Sequence, residues 1–128
     1  MASFLPRLPY GTWPSPISAA SVAAASPRYE GAAFVAAPDG EEIWWGQSVP
    51  AENGRTTVRR RLADGTVEEL LPAPWNARSR VHEYGGGPWA ATDDGALCFV
   101  EKTDQRIWIL APDSEPRALT PAGTRMRF

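Results

Sequence analysis

Arg80-Val81-His82-Glu83-Tyr84-Gly85-Gly86-Gly87-Pro88-Trp89 decides how this chain of 128 residues is read. Three consecutive glycines strip a short piece of backbone of every Cβ, so it can turn sharply or lie against a neighbour. His82 is the only histidine of the sequence. With Glu83 and Tyr84 it places hydrogen-bonding side chains just ahead of the glycines. The stretch reads either as a binding loop or as the passage from one β-unit to the next. The sequence on both sides favours the passage.

Upstream, short apolar runs alternate with turn dipeptides. Residues 32–37 form a first strand, ended by Pro38-Asp39-Gly40. Residues 42–48 form a second, and a loop over 49–55 carries Asn53-Gly54. Residues 56–62 form a third strand, which Asp64-Gly65 turns tightly into a fourth over 67–71. Downstream the pattern returns: strands over 89–92, 96–102, 105–110 and 117–119, with Asp93-Asp94-Gly95 closing the first. Asp39-Gly40 matches Asp94-Gly95, Trp45 matches Phe99, Arg55 matches Arg106, and Leu70-Leu71-Pro72 matches Leu119-Thr120-Pro121. The offsets of 55, 54, 51 and 49 residues drift as loops of unequal length require. A four-stranded unit repeated about every 50 residues is the sequence form of β-propeller blades. The expected fold is therefore all-β: an incomplete β-propeller of two four-stranded antiparallel blades.

The first 17 residues are rich in proline and aromatics and read as an irregular arm. Tyr10, Trp13 and Ile17 would let it adhere to an apolar surface. Ser18 is a plausible N-cap for one short helix over 19–25, stopped by Pro27. The expected division is an arm with its helix at 1–28, a first blade at 29–75, the glycine-rich crossing and second blade at 76–121, and the start of a further blade at 122–128.

Composition narrows the function classes. A net charge of −2 provides no basic face for nucleic acid. Cys98 is alone, which excludes an intrachain disulfide and the multi-cysteine zinc patterns, and it reads as a small residue on a strand. Prolines interrupt the N-terminus, so it does not read as a secretory signal, and nothing approaches the roughly 20 apolar residues of a membrane helix. A cytoplasmic protein without metal or cofactor is expected.

Three segments resemble the N-terminal propeller region of the prolyl-oligopeptidase family of serine peptidases, in particular bacterial dipeptidyl aminopeptidases and acylaminoacyl-peptidases. They are Pro9-Tyr10-Gly11-Thr12-Trp13-Pro14-Ser15-Pro16-Ile17, Arg78-Ser79-Arg80-Val81-His82-Glu83-Tyr84-Gly85-Gly86-Gly87, and Asp104-Gln105-Arg106-Ile107-Trp108. The resemblance covers nearly the whole chain, and its His-Glu-Tyr-Gly-Gly-Gly element is the most specific; Pro88 departs from the small residue more usual there. It implies a two-domain peptidase in which a propeller, typically of seven blades, caps a C-terminal α/β-hydrolase domain and admits only short peptides.

The chemistry of such an enzyme is absent from this sequence. A nucleophile elbow needs Gly-x-Ser-x-Gly, and Gly46-Gln47-Ser48-Val49-Pro50 fails at its last position. Ser48, Glu69 and His82 stand in the order of a triad but lack its strand-to-helix setting. On a strand His82 and Glu83 point to opposite faces, and their plainest role is to tie the crossing together. Arg80, His82 and Glu83 are the candidates for facing a substrate channel, while Tyr84, Gly85, Gly86 and Gly87 form the structural motif. Arg59-Arg60-Arg61 reads as a strand paired with Glu68-Glu69 across the hairpin. The tryptophans at 44, 45, 89 and 108 read as filling between blades.

Two blades leave a face of each open. Losing a few hundred Å² of apolar contact forfeits on the order of 10 kcal/mol at about 25 cal/mol per Å², so the chain reads as a fragment of a longer protein. The expected function is a non-catalytic propeller segment gating a serine peptidase that cleaves short peptides. Its partners would be the rest of its own propeller and the hydrolase domain. The alternative is a non-enzymatic β-propeller or β-repeat interaction module, and a third reading is a small all-β protein that oligomerises through its open edges.

Overall fold

The structure, a computed structural model, describes residues 7–24, 26–81 and 86–123. A short helix α1 (Ala19–Ala23) follows Ser18, whose hydroxyl accepts the Ser21 N–H as an N-cap. Eight strands then form two antiparallel sheets: β1 (Tyr29–Ala37), β2 (Gly40–Val49), β3 (Arg55–Arg61) and β4 (Val67–Glu69) in the first, β5 (Trp89–Ala91), β6 (Leu97–Val100), β7 (Ile107–Leu110) and β8 (Arg117–Ala118) in the second. In each sheet the strands lie side by side in chain order. The fold is the expected incomplete propeller, all-β with one short helix.

Local chemistry fixes the turns. In the β3–β4 and β5–β6 hairpins the Leu62 and Thr92 N–H groups donate to the carbonyls of Thr66 and Ala96. Gly65 and Gly95 fold back onto the Leu62 and Thr92 carbonyls. Both glycines have positive φ, 91° and 82°, the left-handed residue of a three-residue hairpin loop. Hydrogen bonding to Thr66 holds the Asp64 carboxyl below its ordinary pKa, so the ionised Asp64 keeps this loop in place. After β2 the chain makes a 3-10 turn (Pro50–Glu52), and Asn53 and Gly54 both take positive φ to re-enter β3.

Two strands are cut short by local departures from the regular ladder. Leu70 and Leu71 both donate to the Val58 carbonyl, a bulge that stops β4 at Glu69 instead of the expected residue 71. Strand β7 begins at Ile107, two residues later than expected, because Gln105 adopts φ +54° and uses its side chain as a clasp.

The core lies between the sheets. Val35, Trp44 and Val58 of the first sheet meet Leu97 and Phe99 of the second, all at most 6% exposed, with Leu71 and Ala77 completing the cluster. Trp75, Trp89 and Trp108 pack against it; the Trp75 ring meets Phe99 edge-on at 5.7 Å and Trp108 at 4.7 Å. Trp45 departs from expectation. It pairs with Arg59 on the opposite face from Trp44, because adjacent strand residues alternate, and so points away from the second sheet.

The internal repeat is visible in the bonds. Arg55 and Arg106 each stand at the head of the third strand and donate to the carbonyl just before a proline, Leu71 and Thr120 respectively. Counted from these anchors, Trp45 corresponds to Leu97, two residues short of Phe99 but on the same face. The arginine run pairs as expected at one position and not at the next. Arg60 binds Glu68, with Glu42 at 3.7 Å, whereas Glu69, opposite Arg59, is taken by Arg55. The Arg59 Nε is consequently buried without a hydrogen-bond partner.

Candidate functional site

The crossing between the sheets is built as a two-sided zipper. On one side the Thr56 N–H donates to the Asn76 side-chain carbonyl at 3.0 Å, and the Ala77 N–H donates to the Thr56 carbonyl at 2.9 Å. On the other, the Arg78 and Lys102 N–H groups donate to the Val100 and Asn76 carbonyls, both at 2.9 Å. Two buried side chains lock it. Glu101 accepts from the Asn76 N–H at 2.9 Å. Gln105 accepts from the Arg80 N–H at 2.8 Å, while its amide nitrogen donates to the Arg78 carbonyl at 3.0 Å. Every buried polar group here finds a partner, the condition for burying it without a large penalty.

A second joint couples the inner strands. Between Glu30 and Ala32 the β1–β2 register shifts at a bulge, and Gly31 takes φ +66°. The bulge turns the Glu30 carbonyl outward, where it accepts the Trp89 indole N–H at 3.2 Å. The indole lies over Gly46, whose added Cβ would sit 2.9 Å from the Trp89 Nε1 and 2.5 Å from the Glu30 oxygen. Only glycine fits there.

Beside this joint an open cleft of ≈ 1030 Å³ runs between β1 and β5, with Arg28, Glu30, Arg78, Ser79, Gly86 and Gly87 among its walls. It mixes two guanidinium groups, one carboxylate and glycine backbone, a lining suited to the charged ends and amides of an extended peptide. Arg80 is exposed and its N–H is held by Gln105. His82, Glu83, Tyr84 and Gly85 lie outside the described residues. Ser48 and Glu69 are not brought together. The Ser48 hydroxyl accepts the Arg28 N–H, Glu69 binds Arg55, and strand β3 separates their strands. Among the described residues no group of three or more His, Cys, Asp or Glu converges as metal ligands, and no helix is long and apolar enough to cross a membrane.

Sequence reasoning missed Asn76, Glu101 and Gln105, the residues that actually fasten the crossing. Their partners stand about 25 positions away, beyond the reach of any local pattern. Cys98 is half-buried on β6, and burial first and Asp94 second push its thiol above the ordinary value. In dilute native protein at pH 8 a disulfide reagent should label Cys98 at least about 10-fold more slowly than in urea, since the thiolate is the reacting form. Equal rates would show the thiol to be freely ionisable.

No protein-family model and no curated protein matches the chain. Solved structures do. A puromycin-hydrolysing peptidase of Mycobacterium tuberculosis is 45% identical with a TM-score of 0.74, over 89% of this chain and 18% of its own. A serine-to-alanine mutant of puromycin hydrolase complexed with PGG is 48% identical, TM-score 0.74, with the same coverages of 89% and 18%. A further puromycin hydrolase structure is 46% identical, TM-score 0.71, over 91% of this chain and 18% of its own. The chain thus spans about a fifth of the length of the peptidases it matches.

Proposed function

We propose, from the premise that this chain belongs to the prolyl-oligopeptidase family and matches 18% of the length of its puromycin-hydrolysing relatives, that it is the N-terminal propeller segment of a peptidase of that kind. The observation that carries this is 45–48% identity to those peptidases together with the same two-sheet fold. The segment itself is non-catalytic. Its blades narrow the approach to a C-terminal α/β-hydrolase domain, so that short peptides and aminoacyl amides enter while folded proteins do not. Arg80, whose backbone follows the cleft-lining Arg78 and Ser79, and His82 and Glu83, which come next in the sequence, are assigned contact with the peptide; Tyr84-Gly85-Gly86-Gly87 is assigned a structural role. The rigid zipper at Asn76, Glu101 and Gln105 supports this assignment, because a specificity contact needs a fixed base. Hydrolysis through a serine needs no cofactor, and the setting is cytoplasmic.

The test compares this chain with a longer one carrying the hydrolase domain. Fluorogenic aminoacyl and dipeptidyl substrates, and puromycin, stay intact with the 128-residue chain and are cleaved by the longer one. In the longer enzyme Arg80→Ala and Glu83→Ala each raise KM about 10-fold with kcat nearly kept, a loss of about 1.4 kcal/mol of binding. Failure to cleave any of them would leave the propeller as an interaction module. Unchanged KM in both variants would remove the channel assignment alone.

A further inference from the structure

The turn into the third strand is built alike in both sheets but equipped in only one. Counted from Arg55 and Arg106, Gly54 corresponds to Gln105. Both take positive φ, 72° and 54°. Both donate the backbone N–H to a carbonyl at or just past the end of the second strand, Val49 at 3.1 Å and Glu101 at 2.9 Å. Glycine adopts this conformation freely, whereas a residue with a Cβ does so at a cost. At Gly54 an added Cβ would meet nothing within 4 Å. The first sheet thus makes the turn without a side chain, so the turn itself gives no reason for a glutamine.

The reason lies in what the Gln105 side chain holds. Gln105 is buried. Its amide oxygen accepts the Arg80 N–H at 2.8 Å, and its amide nitrogen donates to the carbonyls of Arg78 and Lys102, both at 3.0 Å. The side-chain amide therefore grips the backbone on either side of Ser79, as a peptide group of a neighbouring strand would. Arg78 and Ser79 line the cleft, and Arg80 follows them, exposed. We infer that Gln105 is a positioning residue for peptide binding. It touches no substrate; it fixes the Arg80 backbone and so the place from which the Arg80 side chain reaches a peptide. The inference rests on the peptide contact assigned to Arg80. An unfixed Arg80 would have to be ordered each time a peptide binds, which weakens binding and leaves the chemical step alone.

Gln105→Gly tests it, because it installs the residue that the first sheet uses at this turn. In the longer enzyme it raises KM for a fluorogenic dipeptidyl substrate about 5-fold and keeps kcat. Added to Arg80→Ala it raises KM no further, since both changes act through one side chain. In the 128-residue chain the Arg80 amide of the variant exchanges with deuterium at least about 10-fold faster than in the wild type. The Val100 amide, which donates to the Pro88 carbonyl, keeps its rate. Gln105→Asn tolerates the left-handed region but is one methylene too short to reach; it gives the same result and stands in should the glycine variant fold poorly. Unchanged KM in Gln105→Gly beside a raised KM in Arg80→Ala would overturn the positioning role and leave the peptide contact standing. A further rise in the double variant, or an Arg80 amide that exchanges at the wild-type rate, would overturn it as well. Unchanged KM in both single variants would remove the peptide contact itself, and the positioning role with it.

Discussion

Replacing Arg55 by methionine should lower the stability of the chain by about 2–4 kcal/mol, read as a shift in the urea midpoint at fixed protein concentration. Its guanidinium, only 7% exposed as a side chain, does four jobs at once. It donates to the Leu71 carbonyl at 3.2 Å and the Trp75 carbonyl at 3.0 Å, and it binds Glu52 at 2.5 Å and Glu69. Burial opposes its charge, but the hydrogen bonds to Glu69 and Glu52 outweigh that opposition and raise its pKa above the ordinary value. The group therefore stays charged wherever the protein is folded. Leu71 keeps a second donor, the Thr57 hydroxyl at 2.7 Å, and the two carboxylates can return to water, which sets the loss below that of a fully buried pair. Trp75 is left with an unmet carbonyl at the point where the chain leaves the first sheet. Arg106→Met is the control. Its half-buried guanidinium donates to the Thr120 carbonyl and stacks 5.3 Å from the Trp108 ring, so about 1 kcal/mol is expected. Equal losses at both positions would mean that the shared strand-head bond, and not the Arg55 network, carries the energy.

Gly46→Ala should cost about 2–3 kcal/mol, at the upper end of overpacking, and should loosen the two sheets from each other. The added Cβ would meet the Glu30 backbone oxygen at 2.5 Å, and backbone in a paired strand cannot step aside as a flexible side chain can. The displaced groups are the two halves of the Trp89–Glu30 bond, so the steric cost and the loss of the inter-sheet hydrogen bond arrive together. Gly31 separates them. A Cβ there is in ordinary contact with Trp89 at 3.6 Å, and the cost comes from φ +66° alone. Gly31→Ala should therefore lose about 1–2 kcal/mol and Gly31→Asn less, since asparagine tolerates the left-handed region. A Gly46→Ala chain as stable as wild type would show that β1 can slide at its bulge, and that the Trp89 joint does not hold the sheets in register.

The strands and hairpins were legible because their causes are local. Asp64-Gly65 and Asp94-Gly95 supply positive φ within the turn itself, Ser18 caps its own helix, and alternation sorts each strand into two faces. The Arg55–Arg106 correspondence was legible too, since each arginine and its pre-proline carbonyl recur at nearly constant spacing. Which face of the first sheet turns inward was not. Trp44 and Trp45 are adjacent and equally apolar, and only the arrival of the second sheet buries the one and leaves the other outside. The clasp of Asn76, Glu101 and Gln105 escaped for the same reason. A buried carboxylate or amide is stable only once a distant backbone supplies its partners, and no property of Gln105 alone announces that it will receive the Arg80 N–H. By itself the sequence determined the elements, their turns and their repetition, through interactions spanning a few residues. The tertiary structure alone decided the inward faces, the buried polar locks and the joint at Trp89, because each forms only when two sheets close together and exclude water.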